Sequence, residues 1–533
     1  MLSRRLIEPV RVGGRRYRPA LMYGRVLGVA VLGVGGHLVT VEAHVGRGLP
    51  ALIVTGLPGA GVQDARERVR PAVEGAKLEW PLRRVVVNLA PANVRKEGPG
   101  LDLPLVMSVL AATRQIPHDR LRAFAFSGEV SLKGELLTTP GILTVAIAAA
   151  RAGLEGIVVP AANAVEAGQV EGLRVIGAET LSEAVGFLRG TWSATDVVTP
   201  IDEAPAAATV DLAEVRGQTQ ARRALEVAAA GGHNMLMVGS PGAGKTMLAR
   251  RLPTILPELS REESLEATQL HSVAGLLGAT KGLLRARPFR APHHSVSTVG
   301  LLGGGSTYVR PGEVSLAHHG VLFLDELTEF RRDAVEGLRQ PLEDGRVVIT
   351  RAVGSVEFPS RFTLVAAANP CPCGFDGDGI RQCSCRPDRV QLYRNKLSGP
   401  LLDRIDIRLR IPRLTKEELL GSSPGEASSI ARARVEEARD RQRRRWAAAG
   451  VPCNAHLSGP VARRTCSLSP DAEGLLTKAV ETLALTGRGF DRAIKVARTV
   501  ADLAGSERVE ADHLAEALSY RNGFGTEVLA RAG

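Results

Sequence analysis

The chain has 533 residues, 44% of them hydrophobic and 23% charged, and its 68 Lys and Arg outnumber 56 Asp and Glu for a formal net charge of +12. That length corresponds to about three to four domains, and the balance excludes a disordered or fibrous chain. The positive excess favours polyanionic partners but does not by itself identify a nucleic-acid binder. The best apolar stretch, Val26 to Val34, is short and runs into Gly35-Gly36-His37, so no bilayer span is expected. Arg11, Arg15, Arg16 and Arg18 interrupt the place where the apolar core of a signal would follow Ser3-Arg4-Arg5-Leu6, and a cytoplasmic protein is expected.

In chain order, residues 1–21 are arginine-rich without apolar periodicity and read as a basic tail. From 22 to 192, a strand-like stretch from Gly24 to Val45 is followed by short β runs at Ala51–Val54, Arg84–Leu89 and Gly156–Pro160. Helical patterns at Val62–Gly75, Leu103–Thr113 and Thr144–Ala152 alternate with them, predicting an α/β domain. Residues 193–210 read as a linker, 211–412 as a second α/β unit, and 413–460 as a charged helical connector. The connector carries Arg432, Arg434, Arg439, Arg441, Arg443, Arg444 and Arg445 beside Trp446, and its acidic neighbours leave a solvated face and a DNA contact equally open. Residues 461–533 show helical patterns and no strand signal.

In the second unit the apolar run Met235-Leu236-Met237-Val238 leads into Gly239-Ser240-Pro241-Gly242-Ala243-Gly244-Lys245-Thr246 and then a helical pattern. This is G-x-x-x-x-G-K-[ST] in its required strand–loop–helix context. Glycines there let backbone N–H groups wrap phosphates at a helix N-terminus. Lys245 is placed to bridge the β- and γ-phosphates of ATP, and the Thr246 hydroxyl to hold Mg²⁺. A second strand pattern, Val321 to Leu324, ends in Asp325 and Glu326. Asp325 suits Mg²⁺ binding through water, and Glu326 suits polarising an attacking water. A third, Phe362 to Ala368, ends at Asn369, whose amide either orients that water or begins the turn at Pro370.

Four of the six cysteines form C-x-C, nine residues, C-x-C: Cys371, Cys373, Cys383 and Cys385. Four thiolates suit tetrahedral Zn²⁺ in a structural role, with reduced packed thiols or an iron–sulfur cluster as the alternatives. Cys453 and Cys466 have no evident partner in the sequence. Adjacent His293 and His294 make a poor metal site and read as packing or interface residues.

Long words in the sequence resemble the YifB/ComM family of Mg-chelatase-like AAA+ ATPases. They include Gly56-Leu57-Pro58, Val87-Asn88-Leu89-Ala90-Pro91-Ala92, Phe289-Arg290-Ala291-Pro292-His293-His294-Ser295, and Pro311-Gly312-Glu313-Val314-Ser315-Leu316-Ala317-His318. Another is Ser398-Gly399-Pro400-Leu401-Leu402-Asp403-Arg404-Ile405-Asp406. The resemblance implies a P-loop AAA+ core with a parallel sheet, preceded by a Lon-protease-like α/β domain and followed by an all-helical lid. It also implies a hexameric ring that acts on DNA in recombination or natural transformation. By position Arg404 matches an arginine finger and Arg488 the second sensor, with Arg492 as substitute. Basic inserts at Leu283 to Arg310 and Gly345 to Arg361 match hairpins of related motors, and Arg351 lies near the tip of the second. Subunit-interface ion pairs are the other reading of those arginines.

Ala92 to Gly100 resembles the nucleophile loop of Lon-type proteases, and Gly134 to Leu143 their lysine loop. Gly100 and Leu143 stand where serine and lysine would be needed, so the domain is expected to be proteolytically inactive. A metal-insertion ATPase subunit and a protein-remodelling chaperone are the alternative functions.

Overall fold

The computed structural model describes residues 22–194, 210–277, 282–305, 308–351, 354–414, 418 and 425–521. The expected tail (1–21), most of the expected linker and the end of the chain beyond 521 lie outside the described residues. Two compact units emerge: Met1–Ile201 with Ser272–Gly282, and Asp202–His271 with Leu283–Gly533.

The first unit is built on strands β1 (Tyr23–Leu32), β2 (Gly35–Gly46), β3 (Ala51–Thr55), β4 (Arg84–Ala90), β5 (Phe124–Phe126), β8 (Gly156–Pro160) and β9 (Arg174–Ala178). A small separate hairpin pairs β6 (Glu129–Val130) with β7 (Leu136–Leu137). The seven-stranded sheet has the order β3-β4-β2-β1-β5-β8-β9. The stretch read as one strand-like run is two antiparallel strands, reversed at Gly33 with φ 60°, the left-handed geometry that a tight hairpin needs and glycine adopts freely. Alternation in β2 sends Val39, Val41, Ala43 and Val45 into the core. Helix Asp102–Ala112 is buried along its whole length, which is why its sequence lacks a polar stripe. Its backbone passes so near β1 that a Cβ on Gly24 would stand 2.2 Å from the Ser108 carbonyl oxygen.

In the second unit, β10 (Met235–Gly239), β11 (Phe289–Arg290), β14 (Val321–Leu324), β17 (Thr363–Ala368) and β18 (Ile407–Ile411) form a five-stranded sheet. Its order is β11-β14-β17-β10-β18 and every pairing is parallel. All residues of β10, β14 and β17 are buried, as continuous apolar runs covered on both faces should be. The segment read as a basic hairpin, Leu283 to Arg310, is different: Phe289–Arg290 is the edge strand of the main sheet. Beyond it, helix Thr298–Leu302 leads to two short antiparallel strands, β12 (Gly303–Gly304) and β13 (Arg310–Pro311). The second hairpin is present, with β15 (Arg346–Arg351) antiparallel to β16 (Gly354–Pro359).

Beyond the sheet the described chain is helical: Ser428–Trp446, Gly459–Thr465, Pro470–Thr482, Gly487–Leu503 and Ala511–Ser519. The arginine run on the first of these helices is largely spent inside the unit. Arg434 pairs with Glu226 and Glu426, Arg439 donates to the Ala229 carbonyl, and Arg441 donates to the Asp502 carbonyl. Arg443 and Arg444 are the exposed exceptions, the first pairing with the Asp440 carboxylate and the second donating to the Asp440 carbonyl on their own helix. At the centre of the helices Arg498, 1% exposed, donates to Asp502 Oδ1 at 3.0 Å and to the Glu507 carbonyl at 2.6 Å. Asp502 also accepts from Asn454 at 2.8 Å and pairs with Arg445 at 2.8 Å. Removing one member strands a buried charge. Asp502→Ala should therefore destabilise the second unit by about 3–5 kcal/mol, read from its urea unfolding midpoint.

Candidate nucleotide site and its neighbours

β10 ends at Gly239, and helix Lys245–Ile255 starts six residues later, capped by Gly244. Gly242 and Gly244 have φ of 80° and 87°, a left-handed backbone that points consecutive N–H groups into one concavity. Gln218, itself at φ 46°, donates from Nε2 to the Ala243 carbonyl at 2.7 Å and braces this loop from behind. Sequence reasoning missed Gln218, because its role depends on a contact 25 residues away.

The three strand ends converge. Thr246 Oγ1 donates to Asp325 Oδ2 at 2.6 Å. Lys245 is 8% exposed and donates to the carbonyls of Gly239 at 2.6 Å and Ser240 at 3.1 Å, and to Asn369 Oδ1 at 3.2 Å. Burial pushes the Lys245 ammonium below its usual pKa, while Asp325 and Glu326 pull it back up. Glu326 has φ 52° and ψ 47°, a conformation that costs free energy for a non-glycine residue, and its side chain is half exposed. His294 Nδ1 lies 3.4 Å from Glu326 Oε2. The histidine read as a packing or interface residue thus faces the candidate base, a proximity no spacing rule could reveal.

Arg404 and Arg488 form a second constellation. Arg404 is 9% exposed, ion-pairs with Glu343 and donates to the Pro400 carbonyl. Arg488 is 58% exposed and lies 3.4 Å from the same Glu343 oxygen. Arg492, the substitute, is instead paired with Asp406 at 3.0 Å. A cleft of about 520 Å³ is lined by Glu343, Arg361, Arg404, Asp406, Arg492 and Lys495. The partners of these arginines are not residues of the glycine loop.

The cysteines converge as well. Sγ separations are 3.3 Å for Cys371 to Cys373 and 3.6 Å from Cys383 to each of them. All four sulfurs, Cys385 included, lie within 4.8 Å of one another. Four sulfurs about 2.3 Å from one Zn²⁺ stand about 3.8 Å apart in a tetrahedron. The backbone N–H groups of Cys373 and Cys385 each point at a cysteine sulfur at 3.4 Å, an arrangement that favours thiolates. Cys453, read as isolated, has a partner: its sulfur is 2.9 Å from His456 Nδ1. Burial opposes ionisation of this thiol, but His456 and Arg439 outweigh it and bring it down to about 6.

In the first unit a Cβ on Gly100 would stand 2.9 Å from Ser127 Oγ. Leu143 is fully buried, with its backbone N–H on Glu166 Oε1 at 2.8 Å. Ser108 donates to the Leu105 carbonyl within its helix. Lys96, fully buried, donates to the carbonyls of Gly56 and Pro91. The positions matched to a serine–lysine dyad thus hold neither group.

Three family models match the chain: "Magnesium chelatase, subunit ChlI" over residues 211–419, "Subunit ChlI of Mg-chelatase" over 41–163, and "Magnesium chelatase, subunit ChlI C-terminal" over 425–521. The competence protein ComM of Haemophilus influenzae is 42% identical over 509 residues, 94% of this chain and 97% of that protein. The Escherichia coli protein YifB is 42% identical over 495 residues, covering 92% and 96% of the two chains. The chain belongs to the YifB/ComM family of Mg-chelatase-like AAA+ ATPases. Its first unit is also similar to part of Lon protease 3 of Sorangium cellulosum, 31% identical over 163 residues, 30% of this chain and 19% of that one.

One further cluster of this YifB/ComM-type chain joins Glu266, His318 and His319. His318 Nδ1 accepts the Arg361 backbone N–H at 2.9 Å, so its proton sits on Nε2 and is donated to Glu266 at 3.2 Å. With both ring nitrogens committed, the triad is a hydrogen-bonded cluster rather than a ligand set. His319 bridges Glu266 at 2.8 Å and Glu263 at 3.6 Å. Burial holds His318 down to about 4 from the ordinary 6.5. Hydrogen bonds from His318 and His319 hold the Glu266 carboxyl well below its usual range. An unfolded histidine takes up a proton below about 6.5 that the folded one refuses until about 4. Stability is therefore lost as pH falls through that window, and the lowered Glu266 acts in the same direction below its own ordinary value. The urea midpoint of the second unit should drop between pH 6.5 and 4 in the parent and drop less in His318→Phe; equal slopes would refute the assignment.

Proposed function

We propose that this protein is an ATP-hydrolysing ring motor that acts on DNA, with helicase or branch-migration activity in recombination or natural transformation, and with each active centre shared between adjacent copies. The observation that carries the reading is a division of labour. Lys245, Thr246, Asp325, Glu326 and Asn369 gather at one sheet edge, whereas Arg404 and Arg488 gather on Glu343. An arginine held away from its own glycine loop can serve a neighbour's γ-phosphate only in an oligomer, for which we favour a hexamer.

In this mechanism the loop from Gly239 through Ser240, Pro241, Gly242, Ala243 and Gly244 wraps the phosphates, and Lys245 neutralises them. The oxygens of Thr246 and Asp325, 2.6 Å apart, are hard donors of the kind Mg²⁺ accepts. Mg²⁺ would supply charge neutralisation on the β- and γ-phosphates. Glu326 polarises the attacking water, and Asn369, already on Lys245, orients it. Cys371, Cys373, Cys383 and Cys385 hold a structural Zn²⁺. The domain bounds carried into this reading are 22–192, 211–412, 413–460 and 461–533, in a cytoplasmic protein.

The DNA substrate is supported by kinship with a competence protein and by the β15–β16 hairpin, with Arg351 at its closed end. Arg287 and Arg290 add nothing to it: they pair with Glu263 and Glu313 of their own chain. The three magnesium-chelatase matches favour a metal-insertion subunit as the second reading, and a protein-remodelling chaperone is the third. ATP turnover measured with single-stranded, duplex and forked DNA separates them, because strong stimulation by one form is expected only of the DNA motor.

Lys245→Ala should abolish nucleotide binding. Glu326→Gln should bind nucleotide normally and turn over at least about 100-fold more slowly. Arg404→Ala should lose turnover alone yet regain part of it when mixed with Lys245→Ala, since each variant supplies what the other lacks. No recovery at any mixing ratio would count against a shared centre.

A further inference from the structure

The cysteine loop and the glycine loop are joined by specific contacts. The Asp378 side chain is fully covered and accepts from the Ser240 hydroxyl of the glycine loop, from Arg413 at 2.7 Å and from the Arg381 backbone N–H at 3.1 Å. Gly374, at φ 84°, lies against Pro241, where a Cβ would stand 2.6 Å from the proline Cδ. Phe375 has the Arg381 and Arg413 guanidiniums 5.2 and 5.4 Å from its ring centre. Arg410, on the strand paired with β10, donates to the carbonyls of Asp376 and Gly377 at 3.0 and 3.1 Å. Two residues before Cys371, Asn369 accepts from Lys245.

We propose that the cysteine loop is a clasp on the nucleotide loop: metal held by the four thiolates fixes Asp378 against Ser240, so occupancy of the metal site sets nucleotide affinity. The proposal rests on the Zn²⁺ reading above and assigns it a consequence. Between Cys373 and Cys383 run nine residues that include Gly374, Gly377 and Gly379. A glycine-rich segment of this length loses much backbone freedom when it is ordered. Joining its two C-x-C ends through one ion removes most of that freedom in advance. Asp378 and Gly374 are then presented to Ser240 and Pro241 without further ordering, and the glycine loop keeps its phosphate-binding shape. Without the ion, the same contacts must bear the cost of ordering the segment, and the glycine loop loses its brace.

The test uses the full chain and two readouts, zinc content by colorimetric release and the Kd of a fluorescent ADP analogue. Asp378→Asn should retain one zinc per chain and bind nucleotide about fivefold more weakly, the effect of one lost charge-assisted hydrogen bond. Cys383→Ser should lose zinc and weaken binding at least as much. The double variant should be no weaker than Cys383→Ser, because both changes open the same clasp. Parent protein stripped by a chelator and reloaded with Zn²⁺ repeats the comparison should Cys383→Ser fail to fold. Full nucleotide affinity in folded, zinc-free protein would overturn the clasp and leave the zinc site standing. A parent that takes up no zinc would overturn the metal reading itself, and its metal-dependent consequence with it.

Discussion

The second unit depends on the position of one strand. β17 lies between β10 and β14 in a sheet whose strands all run the same way. A parallel sheet presents every strand's carboxyl end at a single edge. The glycine loop, the Asp325-Glu326 pair and Asn369 therefore reach one another although 130 residues separate Gly239 from Asn369. Because the three strands are buried on both faces, a one-residue slip would carry Lys245 or Asp325 out of register with its partner. The precision of the site thus comes from apolar packing beneath it.

Charge has the opposite distribution. The chain is rich in arginine, yet much of that excess is consumed internally: Arg434 by two glutamates, Arg287 and Arg290 by one each, and Arg498 and Arg445 by Asp502. Net charge is therefore a poor guide to where a polyanion would bind. Glu343 holds Arg404 and Arg488 together, so two cations from segments far apart in sequence act as one positively charged corner. In the first unit, a Lon-like framework holds the buried Lys96 on backbone carbonyls and Ser108 on its own helix.

Strand ends, helices and the contiguous motifs were legible because their signals are local. Gly156–Pro160 was predicted with its observed bounds, and β3, β4 and the helix at Ala60–Gly75 within a few residues. Failures came where pairing partners decide the structure. The resemblance to related motors puts Phe289–Arg290 inside a basic hairpin, and two residues carry too little pattern to announce an edge strand of the main sheet. Gly24 to Val45 looked continuous because a two-residue reversal leaves alternation almost intact. Gln218 and Asp378 lie in no motif, and the word that contains His294 says nothing of the carboxylate it faces.

By itself the sequence determined which chemistry is available: a lysine and a hydroxyl at fixed spacing on a glycine turn, two carboxylates and an amide at the ends of apolar runs, and four thiols in two close pairs. Those spacings are local, and short-range backbone geometry suffices to interpret them. Only the tertiary structure decided which groups meet: Thr246 with Asp325, Lys245 with Asn369, Glu326 with His294, Arg404 and Arg488 with Glu343, and Ser240 with Asp378. The physical reason is that each of these contacts joins segments tens to hundreds of residues apart, and burial of the strands and helices between them, rather than any local preference, sets their separation.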